Sequence, residues 1–141
     1  EIDSLDDFRR SRITLVAVTR NTALYYCAAD LFVCTSRIES YPRVILEAMA
    51  YGLPIITTPC FGIREQVRPS VNADFYTEGD IKGLAVALVD LVEDQEKRQQ
   101  YATNAGLVLA ALPRFDAMIS NYAATINEAL SVSSIDVPWR F

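Results

Sequence analysis

The chain has 141 residues, 51% of them apolar and 22% charged, which fits one folded domain and excludes both a disordered chain and two large domains. Its formal charge of −5, from 13 basic and 18 acidic residues, argues against broad charge-driven binding to nucleic acid. Histidine is absent, and the three cysteines Cys27, Cys34 and Cys60 form no C-x-x-C pair, so the usual zinc patterns and any Ser-His or Cys-His catalytic pair are excluded within this chain.

Residues 1–12 are charged and without periodicity, and read as a lead-in. Their acidic start, with no initiator Met and no signal segment, points to a chain cut from a longer one. Residues 13–19, ITLVAVT, form a β-branched run of the kind found in buried strands. Residues 21–30 then predict a short helix capped by Asn21 or Thr22, with Leu24, Tyr25 and Ala28 on one side. A second buried strand follows at 31–35, and a loop, SRIES, leads to a helix over 41–51 with Pro42 in its first turn and Gly52 at its end. Residues 54–58 predict a third strand, a short helix starts near Gly62, and 73–77 predict a fourth strand.

Asp80 can cap the next helix, where Leu84, Leu88 and Leu91 share a face with Ile81. Two more helices follow. The last spans 114–131, with Phe115, Met118, Ile119, Tyr122 and Ile126 at helical spacing, and an irregular tail at 132–141 carries Pro138, Trp139 and Phe141. The longest apolar runs fall far short of the ~20 residues a membrane span needs. The cysteines read as small buried hydrophobes in a reducing compartment.

Strands alternate with helices, and the strands are continuous apolar runs. Both faces of the sheet are then covered, which predicts an α/β fold with a parallel, Rossmann-like sheet and helices on each side. Ligands on such sheets bind at the carboxyl ends of the strands. That places residues 35–42, which leave the second apolar strand and enter a helix, at a site.

Two carboxylates flank that helix start, Glu39 in the loop and Glu47 eight positions on. A helix N-terminus with unbonded N–H groups attracts anions, phosphate above all. Ser40, Tyr41, Pro42, Arg43 and Val44 supply such groups, all but that of Pro42, and Arg43 adds a positive charge. At ~100° per residue Glu47 lies about 40° from Arg43 on the helical wheel, opposite Ile45, Leu46 and Met49. A carboxylate accepts two hydrogen bonds at once, which suits the vicinal diol of a ribose. The plainer readings are an i,i+4 ion pair between Arg43 and Glu47, and a solvated Glu39.

The stretch from Ala29 to Val67 resembles the carboxyl-terminal half of GT-B glycosyltransferases, specifically the retaining GT4 (group 1) family. The matched residues are Ala29, Asp30, Ser36, Glu39, Ser40, Tyr41, Glu47, Ala48, Met49, Ala50, Gly52 and Pro54, which carry an E-x7-E motif. Gly62, Glu65, Asn72 and the Glu-Gly-Asp of residues 78–80 continue the likeness, which covers roughly residues 13–130. The resemblance implies that residues 13–131 are part of a nucleotide-sugar-binding domain. It implies that Glu47 holds the ribose hydroxyls, that Glu39 lies near the donor sugar and the reacting carbon, and that backbone amides from Tyr41 to Val44 contact the sugar or diphosphate. The implied reaction is transfer of a sugar from a nucleotide-diphosphate donor with retention, without a metal or other cofactor.

Departures from the family pattern are plain. The upstream basic pair that grips the diphosphate, the acceptor-binding amino-terminal domain and its histidine have no counterpart here. Phe61 stands where the family shows a glycine before Gly62, which narrows the expected donor pocket, and Ala73 replaces another glycine. The implied partners are the nucleotide sugar and the missing acceptor domain, with the last helix packing toward that domain. The implied location is cytoplasmic, with a membrane-peripheral parent as the alternative. A second reading is a non-catalytic interaction or nucleotide-binding module that keeps half of the fold and dimerises through an open strand edge at residues 13–19. A dinucleotide oxidoreductase has little support, because no G-x-G-x-x-G follows any strand.

Overall fold

Three short strands, β1 (Phe32–Cys34), β2 (Ile55–Thr57) and β3 (Ala73–Phe75), pair in parallel in the order β1-β2-β3 in a computed structural model that describes residue 4 and residues 6–131. Phe32 lies opposite Ile55, and Ile55 opposite Ala73. The helices, in chain order, are α1 (Asp7–Arg10), α2 (Thr22–Ala28), α3 (Arg43–Ala50), α4 (Ile63–Gln66), α5 (Ile81–Glu93), α6 (Gln95–Ala111) and α7 (Phe115–Ser131); neither α1 nor α7 buries a residue. Residues 132–141, with Trp139 and Phe141, lie outside the described part.

Because side chains alternate along a strand, each strand feeds two cores. On one face Cys34, Ile55 and Ala73 pack with Ile45, Ala48 and Met49 of α3, Ile63 of α4 and Ala105 of α6. On the other, Ile56 and Tyr76 pack with Leu91 of α5 and Tyr101 of α6. Helices thus cover both faces, as the apolar runs predict, and α6 contributes to both cores.

Local chemistry sets the helix ends. Asp80 and Asp94 accept the Gly83 and Lys97 N–H groups at 2.9 and 2.8 Å, so each caps the helix that follows it. Gly52 has φ +68°, just past the last turn of α3, in the left-handed region that a side chain disfavours. Pro42 is the residue that caps α3, one place outside the turn where the sequence puts it.

A polar cluster joins β3, α5 and α6. The Lys97 ammonium lies 2.9 Å from Asp74 Oδ2 and 2.6 Å from Asp90 Oδ2, and the Tyr101 hydroxyl donates to Asp74 Oδ1 at 2.8 Å. Burial opposes the Lys97 charge, but the hydrogen bonds to Asp90 and Asp74 outweigh it and raise its pKa.

Four sequence expectations fail. Cys27, read as a small buried hydrophobe, lies exposed on α2. Residues 13–19 form no strand: Leu15 is 76% exposed and Val18 fully exposed. A β-branched run encodes readiness to pair, and none of the described strands pairs with it. The strand edge expected there for dimerisation is therefore absent. Leu24 and Tyr25 of α2 face outward, while Tyr26 packs toward the core, because the nearest surface to cover is Phe32. Ile81 is 81% exposed, since it sits in the first turn of α5, before the helix reaches Ile56.

Candidate functional site

The residues between β1 and α3 leave the carboxyl end of β1. Their placement rests on backbone carbonyls. Thr58, just past β2, donates its hydroxyl to the Ser36 carbonyl, and the Cys60 thiol approaches the same oxygen at 3.7 Å. Gly62 lies so close to Ser40 that a Cβ added there would fall 1.5 Å from the Ser40 carbonyl oxygen. Gln66 donates its amide to the Pro42 carbonyl at 3.0 Å. Carbonyls 36, 40 and 42 are thus each met by the segment from Thr58 to Gln66.

Glu39 is half-buried on this loop. Ser36 donates its hydroxyl to Glu39 Oε1 at 2.9 Å, and the Cys34 thiol reaches the Ser36 oxygen at 3.6 Å, a short relay from the end of β1. The plainer reading of a merely solvated Glu39 does not hold, since its carboxylate is oriented by Ser36.

Glu47 lies in the second turn of α3, also half-buried. Its Oε2 accepts the Tyr26 hydroxyl at 3.1 Å, and its Oε1 lies 3.6 Å from Arg43 Nη2. The i,i+4 ion pair therefore exists, but the Arg43 side chain is 88% exposed and such a pair contributes only a few tenths of a kcal/mol. Tyr26 also stacks on Tyr51, with ring centroids 5.3 Å apart. Burial, and then the hydrogen bond to Glu47, push its phenol up to about 12.

At the start of α3, the Ile45 N–H bonds back to the Pro42 carbonyl, which leaves the Arg43 and Val44 N–H groups at the open end of the helix. No acidic residue sits in the first turn to compete for them. Ser40, Tyr41, Arg43 and Val44 are exposed and Pro42 is buried. Glu39 and Glu47 thus bracket an anion-attracting helix end, one at the loop and one a turn further in.

Sequence reasoning missed Tyr26 and Gln66. Tyr26 is 21 residues from Glu47 and carries no local motif. Gln66 had one readable signal, an uncharged amide in an otherwise apolar helix position.

Phe61, the residue at the family's glycine position, has φ +33° and an exposed ring. The backbone keeps the left-handed turn that a glycine would favour.

A family model described as "Glycosyl transferases group 1" matches residues 15–107. The chain is 28% identical over 119 residues to N-acetyl-alpha-D-glucosaminyl L-malate synthase of Bacillus anthracis, covering 84% of this chain and 31% of that protein. Sucrose-phosphate synthase from Thermosynechococcus elongatus superposes with a TM-score of 0.76 at 25% identity, over 90% of this chain and 33% of the other. Anabaena HepE in complex with UDP superposes with a TM-score of 0.64 at 32% identity, over 80% and 30%. The chain spans a third or less of the length of each of these proteins.

Proposed function

This chain belongs to the glycosyl transferases group 1 family and has the GT-B fold, and from that premise we propose that it supplies the donor half-site of a retaining, GT4-type hexosyltransferase. Residues 13–131 form part of the nucleotide-sugar-binding domain. Glu47 accepts the ribose hydroxyls. The N–H groups of Tyr41, Arg43 and Val44 face the diphosphate, together with the positive end of α3. Glu39, beyond them on the loop, faces the sugar.

In the reaction the bond from the anomeric carbon to the diphosphate oxygen breaks, and its electron pair leaves with the nucleotide. Positive charge develops on the sugar ring, which the Glu39 carboxylate stabilises. The acceptor hydroxyl bonds to the same carbon from the face the diphosphate leaves, with retention, and its proton passes to the departing diphosphate oxygen. The acceptor is bound by an amino-terminal domain of the parent protein, and the exposed apolar face of α7, with Phe115, Ile119 and Tyr122, packs toward that domain. We place the protein in the cytoplasm. Among the described residues no helix is long and apolar enough to cross a membrane.

One observation carries the reading: Glu39 and Glu47 are both held in place on either side of an open helix start at the end of β1. The HepE complex makes UDP the first nucleotide to test. Calorimetric titration of the intact protein with UDP, GDP and ADP should show one preferred nucleotide. Glu47→Ala should weaken its binding about tenfold, roughly 1.4 kcal/mol, and Glu39→Ala should mainly lower turnover in the longer parent enzyme, since this chain alone is inactive. Unchanged affinity in Glu47→Ala removes the ribose role. Absence of binding to all three favours the second reading, a non-catalytic interaction module, which the exposed face of α7 supports.

A further inference from the structure

We propose that Gln66 is a positioning residue for the nucleotide-sugar site, acting through the Pro42 carbonyl to set the angle at which α3 presents its first N–H groups. This rests on the reading of the α3 start as the diphosphate site.

Gln66 is fully buried at the end of α4, among Ile63, Val67 and the apolar face of α3. Its amide nitrogen donates to the Pro42 carbonyl at 3.0 Å, while its Oε1 has no hydrogen-bond partner among the described residues. A buried amide that satisfies only one of its two ends is poor stabilising chemistry, and an apolar side chain of the same size would suit the surroundings better. What the amide adds is direction. Pro42 is the cap residue of α3, and its carbonyl also accepts the Ile45 N–H, the first bond of the helix. A second donor on that oxygen fixes the plane of the peptide joining Pro42 to Arg43. That peptide carries the Arg43 N–H, the first group that would meet a phosphate oxygen, so a rotation of this plane re-aims it. Ser40 packs so closely against Gly62 that not even a Cβ would fit between them, which leaves the loop no room to shift toward Gly62.

The variant Gln66→Met keeps the volume and removes the amide. In calorimetric titration of the intact protein with UDP, read well below the melting temperature of each protein, its Kd should rise about three- to tenfold. Its melting temperature should stay level or increase. In NMR spectra without UDP, the Arg43 amide resonance should move. A Kd within twofold of the wild type overturns the proposal, as does an unmoved Arg43 resonance. A lower melting temperature with unchanged Kd assigns Gln66 a structural role only and equally overturns it. Glu47→Ala, titrated alongside, separates the two readings. If UDP binding is lost in Glu47→Ala but kept in Gln66→Met, only the positioning role fails. If neither variant changes it, the site itself lies elsewhere.

Discussion

Residues 31–112 and the segments on either side of them are about equally apolar, yet they meet opposite fates. In the middle, Ile55, Ile56 and Ile63 are completely buried between sheet and helices. In the flanks, Leu15, Val18, Phe115 and Tyr122 are mostly exposed. Apolar sequence therefore states a demand for cover, and only the middle region contains the elements that meet it. The candidate site draws mainly on the covered region, with Tyr26 added from the flank: the Ser36 and Pro42 carbonyls accept hydrogen bonds from Thr58 and Gln66, and Gly62 packs against that of Ser40.

Truncation should separate the two regions most sharply. Ile55→Ala should cost about 2–5 kcal/mol in urea unfolding, whereas Val18→Ala should stay within about 0.5 kcal/mol. Equal losses would break the contrast. Gly62→Ala should come next, at about 1–3 kcal/mol, because the added Cβ must push Ser40 away. The same variant should weaken nucleotide binding, and an unchanged melting temperature would show that the contact with Ser40 yields easily. Phe61→Gly should act in the opposite direction. It relieves a left-handed backbone under an exposed ring, and should stabilise by up to about 1 kcal/mol; a loss of stability would mean the ring packs in solution.

The last effect is a pH dependence, confined to strongly alkaline solution. Tyr26 and Tyr101 are both pushed up to about 12, by burial first and then by their hydrogen bonds to Glu47 and Asp74. A folded-state pKa above the unfolded value of about 10 gives a contribution that is complete below pH 10 and is lost as pH rises toward 12. Urea midpoints should therefore fall across that window, and less steeply in Tyr26→Phe and Tyr101→Phe. A wild-type midpoint that stays flat to pH 11.5 would contradict the shifts.

Much of this was legible in the chain. The strands at 32–34, 55–57 and 73–75 lie inside the predicted runs, because continuous apolar stretches with β-branched residues suit a doubly covered sheet. Asp80 and Gly52 declared the ends of α5 and α3 through local chemistry alone. Spacing and resemblance single out Glu39 and Glu47 as candidates, and the structure shows each with a hydrogen-bond partner. What failed were statements about partners. Residues 13–19 have strand chemistry, but a strand forms only beside another. The bonds from Tyr26 to Glu47 and from Gln66 to Pro42 join residues 21 and 24 positions apart, and no local pattern encodes such a meeting.

The way the loop before α3 is held has a consequence for change over evolutionary time and in the laboratory. Its hydrogen-bonded anchors at 36 and 42 grasp peptide oxygens, and its close approach to Gly62 at 40 is also through a peptide group, which every amino acid carries. Arg37, Ile38 and Tyr41 have exposed side chains that none of these anchors uses. Their identities can be exchanged while the path of the loop stays the same. A library randomised at these three positions would vary the surface the loop presents without varying where it runs.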